Sequence, residues 1–487
     1  EQNPIPSPLR QVGNDGVGTV DQALMAVLQV KHVFVRLFGL AGKTVILDEV
    51  HAYDAYMTGL LGGLLQWLGA LGSPVILLSA TLPAARRRQL MQAYAKGIDP
   101  RAKLVESEAV EYPRVSWLEG TTVRSREIEV RDGIRRALRV AGCPEDPVEL
   151  ARFLQAQLPR DGYAVVICNT VARAQATYLA LRRHFPDSEL SLFHARFTHE
   201  RREAIEAECL ERFGPTGERK GRHILVATQV VEQSLDLDFD LMVSDFAPID
   251  LLLQRSGRLM RHRRGDRPSP GEPVLFIRTV ANDADGPSFE PAFTSVYNEH
   301  VLLRTWAALQ GRETINIPGD IEALIERVYQ TAEGSPSAEI PAERWSSTWR
   351  DWERLTGKHS DLARQPMVPE PDFIAEEFLG SFGPSLLEDR QDAEAGRQAK
   401  TRYDEIPWLE VVWLPPELAA LESTDPRQPT TAVPLMQKSM TLRGAWVQAL
   451  MGGMTPRTSV WRGRPDAWRR HPTLRHAVLV VAHDDEV

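Results

Sequence analysis

Short apolar runs alternating with helical stretches constrain this chain more than any other feature. Lys43 to Leu47 (KTVIL) and Pro74 to Leu78 (PVILL) have the length and apolar continuity of strands buried on both faces of a parallel sheet. Between them, Tyr56 to Leu71 reads as a helix that crosses back over the sheet. From Val115 the same grammar restarts. Ala164 to Ile167, Ser191 to Phe193, Ile224 to Ala227, Leu241 to Ser244 and Val274 to Ile277 read as strands, with helices such as Val171 to His184 between them. This alternation predicts an α/β chain with two layered blocks, the second ending near residue 280. A Trp-rich helical region follows, clearest over Ser295 to Leu309 and Ile321 to Thr331. After a polar segment at 388–402, expected to be a mobile connector, β-like runs resume at Trp408 to Leu414 and His476 to Val481.

Composition narrows the function classes. The chain has 487 residues, 43% of them hydrophobic and 25% charged, as in ordinary soluble globular proteins. Its longest apolar stretch, Leu60 to Leu71, is broken by Gly62, Gly63 and Gln66 and falls short of the roughly 20 residues that span a bilayer. Three scattered cysteines (Cys143, Cys168, Cys209) fit neither a disulfide framework nor a zinc site, which points to a reducing, cytoplasmic setting. A net charge of −9 argues against coating nucleic acid with the whole surface, while leaving room for a local basic groove. The opening, EQNPIPSPLR, carries no initiator Met or signal pattern, as expected of the interior of a longer polypeptide.

The stretch FGLAGKTVILDEVHAY, 38–53, offers two candidate nucleotide motifs. A phosphate loop needs G-x-x-x-x-G-K-[ST] followed by a helix, but position 37 is Leu37 and Lys43-Thr44 lead into a strand. Gly39 to Gly42 are therefore expected to form the turn before that strand. Asp48-Glu49-Val50-His51 is different, because it stands at the C-terminal end of a strand, where open α/β sheets place their ligands. There Asp48 could hold a hydrated Mg²⁺ and Glu49 could orient or deprotonate a water. Alone, the pair would read first as two solvated acids in a loop.

It is not alone. Ser79-Ala80-Thr81 follows the next strand, Thr228 to Asp236 (TQVVEQSLD) follows a strand of the second block, and Gln254 to Arg261 (QRSGRLMR) comes after it. Arg258 and Arg261 are three apart and would share one face of a helix, the placement for cations that meet a γ-phosphate. A basic surface helix is the bland alternative for that stretch taken alone.

In this order the motifs resemble those of superfamily 2 helicases. More narrowly, GTVDQALMAVLQVKH (18–32), ILDEVHAYDAYMTGLL (46–61), ILLSATLP (76–83), VATQVVEQSLDLDFD (226–240) and APIDLLLQRSGRLMRH (247–262) resemble the CRISPR-associated helicase-nucleases of type I systems, subtype I-E in wording. The resemblance covers roughly 18–265. It implies tandem RecA-like domains closing on ATP and Mg²⁺, moving 3′ to 5′ on single-stranded DNA after loading by an RNA-guided surveillance complex. In that family a nuclease with metal-binding His and Asp residues precedes the motor. Here neither it nor a phosphate loop is present, so both are expected upstream, on the N-terminal part of the same protein. The pair His483-Asp484 lacks partner ligands and is no substitute.

The expected organisation is 1–110 as the C-terminal half of the first RecA-like domain and 111–280 as the second, then 281–400 as linker helices and 401–487 as a small C-terminal domain. By position, the resemblance implies that Asp48 holds the metal, Glu49 is the base and His51 couples the site to the second domain. It places Arg258, Arg261 and Gln254 at the γ-phosphate, and Asp236 and Glu232 near the cofactor. Ser79, Ala80 and Thr81 would link hydrolysis to domain motion. Gly18, Thr19, Asn169, Thr170, His194, Arg196, Thr228 and Gln229 would contact the DNA backbone, a mode that ignores base identity. The tail WRGRPDAWRRHPTLRH, 461–476, could contact nucleic acid or a partner, or could bury Trp461 and Trp468 in a core. An RNA-remodelling DExH helicase and a non-catalytic docking module are the rival readings.

Overall fold

The computed structural model describes residues 16–371, apart from 31, 53, 107–109, 132–133, 159–160, 218, 233–234, 265–266 and 268–270, and parts of 401–482, namely 401, 408–414, 434–443, 447, 459–463, 468, 474 and 477–482. The expected connector at 388–402, apart from Thr401, and the pair His483-Asp484 lie outside these.

The first lobe runs through α1 (Val20–Leu24), α2 (Val33–Leu40), β1 (Val45–Leu47), α3 (Ala55–Ala70), β2 (Val75–Leu77) and α4 (Ala84–Ile98). Asp54 starts α3 by accepting the Met57 N–H at 2.8 Å, and the leucines 60, 61, 64, 65 and 68 are buried. Helices α3 and α4 cross closely because two glycines permit it. A Cβ on Gly97 would lie 1.9 Å from the Gln66 carbonyl oxygen. β1 and β2 pair in parallel, with Val45 opposite Val75. The expected burial on both faces is not found. Val45 and Leu47 join the α3 leucines in one cluster, but Ile46 is 61% exposed and Ile76 45%. Apolar continuity suits two covered faces, and among the described residues only one is covered. The expected turn over Gly39 to Gly42 is also shorter: Gly39 lies inside α2, and Gly42 alone takes a left-handed φ of 68° before the strand.

A small antiparallel unit follows, with β3 (Val105–Glu106), β4 (Arg114–Glu119) and β5 (Thr122–Glu127) in the order β3-β5-β4. The second lobe is larger. Its elements are β6 (Arg136–Cys143), α5 (Pro147–Gln157), β7 (Gly162–Ile167), α6 (Val171–Leu181), β8 (Leu190–Phe193), α7 (His199–Phe213), β9 (Arg222–Ala227), β10 (Leu241–Ser244), α8 (Ile249–Ser256) and β11 (Val274–Arg278). After the short hairpin β12 (Ala281–Asp283) and β13 (Gly286–Ser288) come α9 (Pro291–Thr294), α10 (Glu299–Leu309), β14 (Thr314–Ile317), α11 (Ile321–Tyr329) and α12 (Ala342–Arg364). The sheet has seven strands in the order β14-β6-β11-β10-β7-β9-β8, parallel except for β14 at one edge. Successive residues of β7 point into opposite cores: Val165 and Ile167 into one, Ala164 and Val166 into the other. The sheet thus reaches past residue 280. Thr314–Ile317 completes it, and Leu302, Ile325 and Trp345 share its core.

Helix α12, 23 residues and roughly 35 Å long, ties the lobes together. Trp345 near its start is buried in the second lobe, while Ala363 near its end packs against α3 of the first, beside Gly59. Beyond it, the Val368 N–H donates to the Val27 carbonyl at 2.9 Å. A separate four-stranded sheet, ordered β16-β15-β18-β17, is made by β15 (Trp408–Leu414), β16 (Ser439–Arg443), β17 (Ser459–Gly463) and β18 (Val478–Ala482). Trp468 is fully buried against Val412, Leu414 and Leu479, so for this residue the core reading of the tail holds. No described helix is long and apolar enough to cross a membrane.

Candidate functional site

Asp48 and Glu49 leave the C-terminal end of β1, and Ser79 to Thr81 leave the end of β2 beside it. The backbone turns sharply here. Glu49 adopts a left-handed φ of 54°, a conformation costly for a residue with a Cβ, and its N–H donates to Asp48 Oδ1 at 2.8 Å. His51 joins the two strand ends. Its Nδ1 accepts the Ala80 N–H at 3.3 Å and lies 3.1 Å from Ser79 Oγ. An accepting Nδ1 puts the ring proton on Nε2, which stands 2.9 Å from Glu49 Oε2 and donates to it. The imidazole thus links the base candidate to the second strand's loop. Two adjacent exposed carboxylates suit a hydrated Mg²⁺ that keeps most of its waters. No group of three or more His, Cys, Asp or Glu side chains among the described residues is placed to hold a metal directly.

The second lobe faces this site with the end of α8. Gln254 Nε2 reaches Thr81 Oγ1 at 3.4 Å across the cleft. Arg258 is braced by the Glu232 carbonyl at 2.6 Å. Burial depresses its guanidinium pKa and neighbouring Arg261 adds to this, while Glu232, Glu49 and Asp236 oppose it, which places Arg258 within electrostatic reach of the Glu49 carboxylate. Arg261 Nε pairs with Asp236 Oδ1 at 2.7 Å, and its N–H donates to Asp238 Oδ1.

Several expectations change. Arg258 and Arg261 do not share a helix. α8 stops at Ser256, and Leu259 forms a parallel bridge with Phe239 while Met260 turns left-handed at φ 48°. Pairing with the Phe239 backbone, and burial of Leu259, outweigh continuation of the helix. Glu232, expected near the cofactor, is mostly buried and holds Arg255 Nε at 2.6 Å. Asp236 is taken up by Arg261 and by His262 at 3.1 Å.

Of the expected nucleic-acid contacts, Asn169, His194 and Thr228 are each 3% exposed, so their side chains brace the interior rather than face a strand. Asn169 Nδ2 donates to the Phe246 carbonyl, and its Oδ1 accepts from Arg255. Burial lowers the His194 pKa to about 4, and its ring stacks on Phe197. Gln229 is turned inward to the Asn169 carbonyl and the Tyr297 hydroxyl, and Thr170 caps α6 through the Arg173 N–H. Gly18 and Thr19 are exposed and Arg196 is half-buried.

The residue sequence reasoning missed is Arg255. Wholly buried, it reaches Glu232, Asn169, Ser244 and Tyr297 and so anchors the end of α8. The signal was available: Arg255 lies three residues beyond Leu252, on the helix's apolar face. Asp238 and Asp240 were missed too. They are buried carboxylates that collect Arg219 and Arg267, and Asp238 also takes Arg264 at 2.9 Å.

Residues 160–264 match the family model described as CRISPR-associated nuclease/helicase Cas3, C-terminal. The CRISPR-associated endonuclease/helicase Cas3 of Thermus thermophilus is 40% identical over 404 residues, covering 73% of this chain and 42% of that protein. The crystal structure of T. fusca Cas3-ATP aligns with a TM-score of 0.79 at 31% identity, covering 96% of this chain and 54% of that one. A chain of a CRISPR RNA-guided surveillance complex, pre-nicking, aligns at 0.74 and 31% identity, covering 97% and 58%. The chain therefore spans about half the length of the proteins it matches.

Proposed function

Because this chain resembles the C-terminal part of the CRISPR-associated helicase-nuclease Cas3, we propose that it carries the ATP-driven motor of such an enzyme. The observation behind this reading is the contact of Gln254 with Thr81 between the two lobes, with Arg258 within electrostatic reach of Glu49. Glu49 orients the attacking water and takes its proton. His51 holds that carboxylate toward the loop of Ser79 to Thr81. Arg258 meets the charge that grows on the γ-phosphate, and Arg261 does so from its pairing with Asp236. Asp48 would hold Mg²⁺ through water, and bound there the ion would neutralise phosphate charge. In this reading the motor's partner for holding the phosphates is an N-terminal part of the same protein. The four stretches bounded at 110, 280 and 400 would serve as half of the first motor domain, the second motor domain, linker helices and an accessory domain.

Within the same reading, the substrate is single-stranded DNA threaded 3′ to 5′, the loading partner is an RNA-guided surveillance complex of subtype I-E, and the setting is the cytoplasm. The test is Glu49→Gln in the full polypeptide. ATP turnover should fall at least a hundredfold, with nucleotide binding retained, because only the water-activating group is lost. Turnover within threefold of the parent would overturn the assignment. Stimulation by RNA rather than DNA would move the substrate to the rival DExH class.

A further inference from the structure

Helix α11 has two working faces. Leu324, Ile325 and Val328 are buried in the core of the second lobe. Glu322, Glu326 and Tyr329, at i, i+4 and i+7, form the other face and make different contacts. The Glu326 carboxylate accepts the N–H of Ala84, the first residue of α4 in the first lobe. Pro83 leaves that helix start without a side-chain cap of its own, so Glu326 satisfies an end that attracts negative charge. Glu322 pairs with Arg114 through both carboxylate oxygens and lies 3.9 Å from Arg87 of α4. Tyr329 donates to Asp250 in the first turn of α8, the helix that ends beside Arg258.

These contacts surround the loop of Ser79 to Thr81. Ala84 follows Thr81 by three residues. Arg114 follows Tyr112 by two, and the Tyr112 hydroxyl donates to the Ala80 carbonyl at 2.9 Å. From the second lobe, therefore, one helix grips the start of α4 in the first lobe and, through Arg114, the small β3–β5 unit that packs on α4 by Val123 and Leu118, one on either side of the loop that touches His51 and Gln254.

We infer that α11 is an inter-lobe clamp, in which Glu322 and Glu326 are positioning residues that hold the Asp48–Glu49 lobe closed against the arginine-bearing lobe. The inference rests on the motor reading above for its link to ATP. A clamp of this kind acts on the closed population rather than on the chemical step. Its loss weakens apparent nucleotide affinity in proportion to the closed fraction lost, and saturating ATP restores the rate.

The experiment uses the full polypeptide carrying Glu322→Gln and Glu326→Gln together, with dyes at Lys96→Cys on α4 and Glu203→Cys on α7, both exposed. In DNA-stimulated turnover, KM for ATP should rise about tenfold while kcat stays within about twofold. Energy transfer without nucleotide should report a wider separation, which a non-hydrolysable ATP analogue reverses at higher concentration. Unchanged KM with unchanged energy transfer overturns the clamp, as does a fall in kcat alone. Arg114→Ala removes the same pair from the other side. It should raise KM by itself and add little to Glu322→Gln, whereas full additivity of the two would sink the pairing. If the parent protein turns over no ATP, the motor reading fails, and the dye separation still decides the clamp.

Discussion

The two lobes cover their sheets differently. β7, β9 and β10 of the second lobe are packed on both faces, whereas in the first lobe Ile46 and Ile76 stand largely open while Val45 and Leu47 are buried. The second lobe therefore stabilises its share of the site from within, through buried ion pairs such as Arg255–Glu232 and the Asp238 and Asp240 cluster. The first lobe carries Asp48 and Glu49 on a sheet of two described strands and is held from outside, by α12 along α3 and by α11 at the start of α4. The two carboxylates at that strand end thus sit in a lobe that is packed against helices encoded hundreds of residues later.

The sharpest way to break this contrast is Arg255→Ala. It leaves the buried Glu232 carboxylate without its partner, a loss of about 3–5 kcal/mol. Native-state hydrogen exchange should show lost protection in peptides of the second lobe while those of α3 keep theirs. Equal loss in both would mean that the lobes open as one unit and that the contrast is only geometric.

Acid should act in the same direction, with smaller effect at pH 5.5. Burial, helped at His223 by the Arg212 charge, lowers the pKa values of His194 and His223 from 6.5 to about 4. Both rings are thus neutral in the fold, and the unfolded chain takes up their protons first. Their contribution is complete above pH 6.5 and is lost as pH falls through about 4. The urea midpoint of the second lobe should drop between pH 7 and 5.5, and a flat profile would contradict the burial of these rings.

The smallest change expected is for Ile46→Ser. At 61% exposure the side chain contributes little to the fold, and stability should shift by no more than about 0.5 kcal/mol. A loss near that of a core truncation in β7 would mean that something covers this face in solution and would erase the difference between the lobes.

Local pattern was enough to place β1, β2, β7, β9 and β10, because an apolar run of strand length keeps its character whatever lies beside it. The same holds for the acids at the end of β1 and the loop after β2, since residues that follow a strand emerge at its end. The face of β1 turned to solvent was not legible: Ile46 reads the same whether covered or bare. The periodicity that suggested a helix through Arg258 and Arg261 could not register that Leu259 pairs with Phe239, 20 positions earlier. Nor could it show that Glu232 and Asp236 are taken up by Arg255 and Arg261. β14 joined the second sheet from beyond the expected boundary, and Glu322 found Arg114 across 208 positions. Each of these turns on which surfaces meet. Pairing at long range is chosen by packing and charge in three dimensions and leaves no period of two or 3.6 in the chain that would announce it.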